Sequence, residues 1–452
     1  MTDPYDLIVR NGTLVTGDGR RPADIAIRHG LVAAVEEHGR LISHATSELD
    51  ATGRFVLPGL IDGHVHFRQP GLEHKETWLT GTRAAVMGGV TTVLEMPNTI
   101  PPTDSLAAVE AKLGLAQAQA YCDYGLLGLL GADNQALLAD LLAAPAVVGL
   151  KAFLGPSTGE LAPPPNDVLG AGLSLSAAAG RRVAFHAEDA ALVGAAAKGN
   201  GLAHLASRPV AAEVSAIDRV GQLLAETGAA GHILHLSSAE GLAAVRRWRT
   251  AGVDVSCEVS AHHCFLSADD YDRLGGLMVC NPPIRAAGQG DALLAGLADG
   301  VVDCIASDHA PHTPADKTGA DGRPVAPGIN GIETTLPLFL TRGVDAGRLT
   351  LERLVEAFAE RPAQLWGLWP RKGSTAVGAD ADLTIVDLDR RATIRGAGLH
   401  GMHHLTPFDD WPVRGTAVAA IVRGRLVMQE GRLVGEPGWG RPIARVRQTL
   451  VE

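Results

Sequence analysis

The sequence predicts an α/β protein: a (β/α)8 TIM-like barrel joined to a small β-rich domain built from both termini. Three observations predict it. The centre of the chain alternates strand-like apolar runs with Ala/Leu-rich helical stretches, eight strands in all. Both ends instead read as short strands joined by tight turns. Histidines, a lysine and an aspartate recur where the central strands end, and in this architecture sites form at the C-terminal ends of the strands. The expected division is 1–54 plus 373–452 for the composite β domain and 55–372 for the barrel.

The elements follow in order. Leu7 to Val15 carries an Asn11-Gly12 pair between apolar residues, a hairpin signal. Asp24–Ile27 and Leu31–Val35 continue it, with His29-Gly30 as their turn. The run from Phe55 to Arg68 reads as a buried first barrel strand. Strands are expected to end near Asp62, Glu95, Leu129, Phe153, His186, Leu236, Glu258 and Ser307. A helix follows Asp104, which looks like its N-cap, and Ala162–Asn166 is a proline-rich loop. Near the C-terminus, Ala381–Val386 and Val418–Val427 are strand-like, the second with a turn at Arg423-Gly424. A doubly wound open sheet is the alternative, disfavoured because no Gly-rich phosphate loop follows the first strand.

Composition narrows the function classes. The chain has 452 residues, 46% hydrophobic and 20% charged, long enough for a barrel with an accessory domain. A net charge of −11 without a basic block argues against a nucleic-acid partner. The five cysteines, Cys122, Cys257, Cys264, Cys280 and Cys304, lack C-x-x-C spacing and read as buried free thiols. The first residues have no basic or apolar leader pattern, and no run approaches the ~18 apolar residues of a membrane span. A cytoplasmic protein with a small-molecule substrate and no membrane partner is expected.

The site candidates come from the strand ends. His64 and His66, at i and i+2, point to one face of an extended strand. Lys151 follows Val147-Val-Gly-Leu, His186 ends Val183-Ala-Phe, His235 follows His232-Ile-Leu, and Asp308 follows Cys304-Ile-Ala-Ser. Imidazoles and carboxylates suit Zn²⁺ or Mn²⁺, and six potential ligands suggest two ions. A neutral Lys151 can add CO₂ and become a carbamate, an anionic bridge; the competing reading is an ion pair with a nearby acid. His232, three residues before His235, is expected to face the other way and to be structural. His262-His263 is assigned to pocket or packing roles, His74 to an exposed loop, and His403-His404 to structure.

Five stretches then carry a resemblance: Pro58-Gly-Leu-Ile-Asp-Gly-His-Val-His-Phe-Arg-Gln-Pro-Gly71, Met96-Pro-Asn-Thr-Ile-Pro-Pro102, Gly149-Leu-Lys-Ala-Phe-Leu154, Asn281-Pro-Pro-Ile-Arg285 and Ser307-Asp-His-Ala-Pro-His-Thr313. They resemble the amidohydrolase superfamily, and within it the dihydroorotases. The resemblance implies interconversion of L-dihydroorotate and N-carbamoyl-L-aspartate, a step of pyrimidine biosynthesis. It implies two Zn²⁺ per chain: His64, His66 and Asp308 on one, His186 and His235 on the other, and carbamylated Lys151 as the bridge. Asp308 would also be the catalytic base. Arg68, Asn98 and His312 would hold the substrate carboxylate, and a guanidinium suits a carboxylate bidentately. The alternative for Arg68 is a surface salt bridge with Glu73 or Glu76. Asn281, with Ala326, Pro327 and Gly328, would contact the ring amides. Thr158, in a Gly-rich segment over 155–161, would touch substrate from a lid. A homodimer and association with an aspartate carbamoyltransferase are further family-level expectations.

Two departures keep neighbouring activities in view. Gln69 stands where dihydroorotases carry an acid, and the segment from Thr406 to Arg441 is similar to allantoinase endings. An allantoinase, or a hydantoinase of the dihydropyrimidinase type, is the alternative. A non-catalytic scaffold relative is a remote one, because such relatives tend to lose ligands that this chain retains.

Overall fold

A computed structural model describes residues 4–157, 161–194, 201–318 and 326–446. Eight parallel strands form the barrel wall: β6 (Leu60–Val65), β7 (Val90–Glu95), β8 (Asp123–Leu129), β9 (Val147–Phe153), β10 (Arg182–His186), β11 (Ala230–Ile233), β12 (Val255–Val259) and β13 (Cys304–Ile305). They pair in chain order. The seam closes just past β13, where Val65 bridges His309 in parallel and His66 N–H donates to His309 O at 2.8 Å. Strand ends fall at or within three residues of the sequence expectation.

The second sheet has nine strands drawn from both termini. Before the barrel come β1 (Tyr5–Thr16), β2 (Gly19–Arg28), β3 (Leu31–Glu36), β4 (Ala45–Asp50) and β5 (Phe55–Pro58); after it come β14 (Leu383–Thr393), β15 (Pro412–Val422), β16 (Arg425–Gln429) and β17 (Arg432–Leu433). The joining strand is β5, parallel to β1 and antiparallel to β14. The apolar run from Phe55 is therefore two strands, not one. Its first four residues serve the terminal sheet, and only Leu60–Val65 enters the barrel. Val9, Leu14, Ile25, Val56, Leu383, Ile385 and Ile421 form that sheet's own core.

Of the local expectations, the two later turns form as expected, whereas the Asn11-Gly12 turn and the Asp104 cap do not. His29-Gly30 and Arg423-Gly424 are hairpin turns, both residues of each pair at positive φ. Asn11-Gly12 is not a turn: β1 runs straight through it and its register against β2 shifts there. Asn11 sits at φ 62° with its N–H on Asp24 Oδ1, and a Cβ on Gly12 would lie 2.5 Å from Val56 Cγ2. The pair is thus a bulge that lets β5 pack closely. The helix after Asp104 is capped by Ser105, whose hydroxyl accepts from Ala108 N–H.

The end of the barrel remote from the site is plugged by Trp366, packed with Ile61, Leu94, Leu127, Val148, Ala184, Leu368 and Ile443. A Cβ on Gly149 would come within 2.7 Å of the Trp366 ring, so this strand approaches the plug as glycine only. This floor supports the polar layer above it.

Candidate metal centre and substrate pocket

The strand ends place the predicted donors around one pocket. Its lining includes His64, His66, Arg68, Asn98, Lys151, His186, His235, Asn281, Asp308, Pro327 and Gly328. The cavity is small, about 20 Å³, room for roughly one or two waters. Among the described residues, three of the eight non-glycine residues at positive φ belong to this site: Arg68 (63°), His235 (36°) and Asp308 (46°). Such backbone costs energy and tends to persist where surrounding packing enforces it, as at functional sites.

His64 Nδ1 donates to Glu258 Oε1 at 2.6 Å and His66 Nδ1 donates to Asn98 Oδ1 at 2.7 Å. Both rings therefore present Nε2 lone pairs to the pocket. These atoms lie 3.2 Å apart, and Asp308 Oδ1 is 3.2 and 3.3 Å from them. Three electron-rich atoms at such spacing repel unless a cation lies among them. His186 Nε2 donates to Glu188 Oε2 at 3.0 Å, while its Nδ1 faces His235 Nε2 at 2.9 Å. His235 Nδ1 is buried without a partner. The donor set fits divalent ions, with carboxylate or amide oxygens fixing the ring tautomers of His64, His66 and His186 as metal sites require.

Electrostatics favour the ligand forms. Burial lowers His66 to about 3 and takes His235 well below the ordinary histidine value, so both stay neutral. Burial alone would raise Asp308; only a positive charge among His64, His66 and His235, a protonated ring or a bound cation, brings it below the carboxylate range. Burial likewise opposes ionisation of Glu258, yet His64 and His232 bring it to about 2. Lys151 is 1% exposed, and desolvation lowers it to about 7 against the pull of Asp308 and Glu258. It makes no ion pair among the described residues; its Nζ lies 4.6 Å from the Phe153 ring centroid. Near neutral pH a substantial share of it is therefore the neutral amine.

Arg68 is buried, not on the surface. Its Nε donates to Pro311 O at 3.2 Å, and its Nη2 lies 3.3 Å from His312 Nε2. Nη1 is buried without an acceptor, and burial lowers the guanidinium to about 10. It has no contact with Glu73 or Glu76 among its hydrogen bonds and ion pairs. Lys75 donates to His312 Nδ1 at 3.2 Å. Asn98 holds His66, and Asn281 Oδ1 is buried without a donor. Gly328 sits at φ 153°, and a Cβ there would meet Ala310 O at 2.3 Å, so the loop needs glycine. Ala326 is not part of the pocket lining, and its carbonyl accepts from Lys317 Nζ at 3.0 Å. Thr158 lies outside the described residues. Gln69 Oε1 accepts from Trp78 N–H at 3.1 Å, so the amide supplies the acceptor its position needs.

The expectation of a structural His232 fits its absence from the pocket lining and its contacts with Ser256 and Trp366, but its expected orientation requires correction. It does not face away from the site. Its Nε2 donates to Glu258 Oε2 at 3.1 Å, directly beneath His64. Strand β11 ends at Ile233, so strand alternation cannot be carried from His232 to His235. Sequence reasoning also passed over Glu258 and Glu188 as orienting groups. Their signal was an acid at a strand end and a His186-Ala-Glu188 triplet.

Comparison with known proteins agrees with this geometry. The chain belongs to the amidohydrolase family, which matches residues 55–427. The L-hydantoinase (dihydropyrimidinase) structure from Arthrobacter aurescens superposes with a TM-score of 0.93 at 34% identity, covering 98% of this chain and 100% of that one. An allantoinase of Solibacter usitatus is 37% identical across 96% of both chains. A dihydroorotase of Halobacterium salinarum is 43% identical over 78% of this chain and 82% of its own. No helix among the described residues is long and apolar enough to cross a membrane. All five cysteines are buried and free, as expected.

Proposed function

We propose that the protein is a metal-dependent hydrolase of a cyclic amide, and that its substrate carries a carboxylate, as dihydroorotate does. One observation carries the second half: Arg68, a buried cation in the pocket wall with Nη1 lacking any acceptor. A buried charged donor left without an acceptor is costly, and a substrate carboxylate supplies one to Nη1. His64, His66 and Asp308 would hold one ion, His186 and His235 a second, and carbamylated Lys151 would join them. Two zinc ions, when bound, would supply charge that polarises a ring carbonyl and acidifies a water.

The chain's own groups do the rest. Asp308 accepts a proton at its carboxylate and returns it to the leaving ring nitrogen. Arg68 and His312 orient the substrate through its carboxylate. Asn281 and the backbone of Pro327-Gly328 face the ring amides. The dimer and the carbamoyltransferase association rest on the family resemblance.

A second reading, a hydantoinase or allantoinase, is favoured by the comparisons, since relatives with those names match nearly the whole chain. Parallel assays on dihydroorotate, allantoin and hydantoin decide between them. Preference for dihydroorotate supports the carboxylate reading; hydrolysis of hydantoin or allantoin with dihydroorotate untouched overturns it.

A further inference from the structure

Beside the reaction pocket lies a second cluster of soft donors that the proposed chemistry does not use. His262 and His263 open the short helix Ala261–Phe265 that follows β12, and Cys280 arrives on a distant loop. Their ligand atoms all lie within 4.8 Å of one another, and all three side chains are buried. Two of the donors are orphans. His262 Nε2 and His263 Nδ1 have no hydrogen-bond partner, although buried polar atoms are normally paired. His263 Nε2 donates to Pro282 O at 3.0 Å, which leaves Nδ1 as the lone-pair atom. The Cys280 thiol also points to Pro282 O, at 3.2 Å.

We infer that His262, His263 and Cys280 form a separate binding site for one soft or borderline divalent ion such as Zn²⁺. Imidazole and thiolate select Zn²⁺ over Mg²⁺ or Mn²⁺, whereas the pocket donors are nitrogen and oxygen. Zinc–nitrogen and zinc–sulfur bonds put tetrahedral donors about 3.6 Å apart, and these three donor atoms lie within 4.8 Å of one another. Three protein ligands leave a fourth position for water. On binding, the Cys280 S–H bond breaks, sulfur bonds the ion, and one proton leaves to solvent. Cys280 precedes Asn281, which lines the reaction pocket, so occupancy pulls on a pocket residue and excess zinc slows turnover.

Cobalt tests this without a substrate. Protein already holding its two pocket ions is titrated with Co²⁺ and followed in the near ultraviolet. The pocket donors include no thiolate, so a thiolate-to-cobalt charge-transfer band at one further equivalent reports Cys280. The band is expected in the native chain and lost in C280S. H262Q keeps the thiol but should weaken cobalt binding at least about tenfold, which guards against misfolding of the serine variant. No band in the native chain, or a band unchanged in C280S, overturns the inference; the second outcome would place cobalt on another cysteine. A hydrated cavity that binds only water gives no band and has the same consequence. Since no substrate enters the assay, its failure leaves the proposed hydrolysis untouched.

Discussion

Replacing Glu258 by glutamine tests whether this buried carboxylate sets the tautomer of His64. Glu258 is 1% exposed and bonds two imidazoles at once, His64 Nδ1 at 2.6 Å and His232 Nε2 at 3.1 Å. An ionised carboxylate accepts from both. Glutamine has nearly the same shape, but only one of its two terminal atoms accepts. If the amide nitrogen faces His64, the ring keeps its lone pair at Nδ1 and carries hydrogen at Nε2, where a metal donor is needed. If the amide turns over, His232 loses its acceptor within the barrel core. Changes to such supporting carboxylates typically cost 10- to 100-fold in metal affinity or activity, about 1.4–2.7 kcal/mol. Chelator competition measures metal retention, and kcat/KM on the preferred substrate measures activity. Both should fall together in E258Q while the folded state persists. Native metal retention and native turnover in this variant would refute the claim that Glu258 orients His64.

Other expected outcomes are simpler to state. Asp308→Asn should lower kcat by at least about 100-fold, the usual contribution of a positioned acid–base group, and near-native turnover would remove Asp308 from that role. Arg68→Ala should weaken kcat/KM for dihydroorotate about 10- to 100-fold, the worth of a charged hydrogen bond, and should leave carboxylate-free hydantoin nearly unaffected. Equal losses on both substrates would contradict the carboxylate assignment. Lys372→Met should destabilise the fold by about 3–5 kcal/mol, read by urea unfolding, because Lys372 bridges buried Asp123 and Asp382 at 2.5 and 2.6 Å. A loss below about 1 kcal/mol would show that these carboxylates find other partners.

Much was legible in the sequence because barrel strands are continuous apolar runs that end in polar residues. His64, His66, Lys151, His186 and Asp308 all stand within three residues of such ends, and the structure brings them together with His235. The same period-two logic failed where the chain leaves the strand. His232 was assigned the wrong side because β11 stops at Ile233, and backbone at positive φ then turns His235 into the site. Asn11-Gly12 carried a turn's chemistry, yet the approach of Val56 made it a bulge. Residue types and their spacing by themselves determined the strand order along the chain, the candidate donor set and the Arg68 motif. Only the tertiary structure decided which hydrogen each imidazole gives away, that Glu258 serves two rings, that Asn98 holds His66, and that Arg68 is buried with an unmatched donor. Those facts depend on contacts between segments as far apart as 244 residues, the separation of Arg68 from His312, and no local pattern encodes a partner that distant.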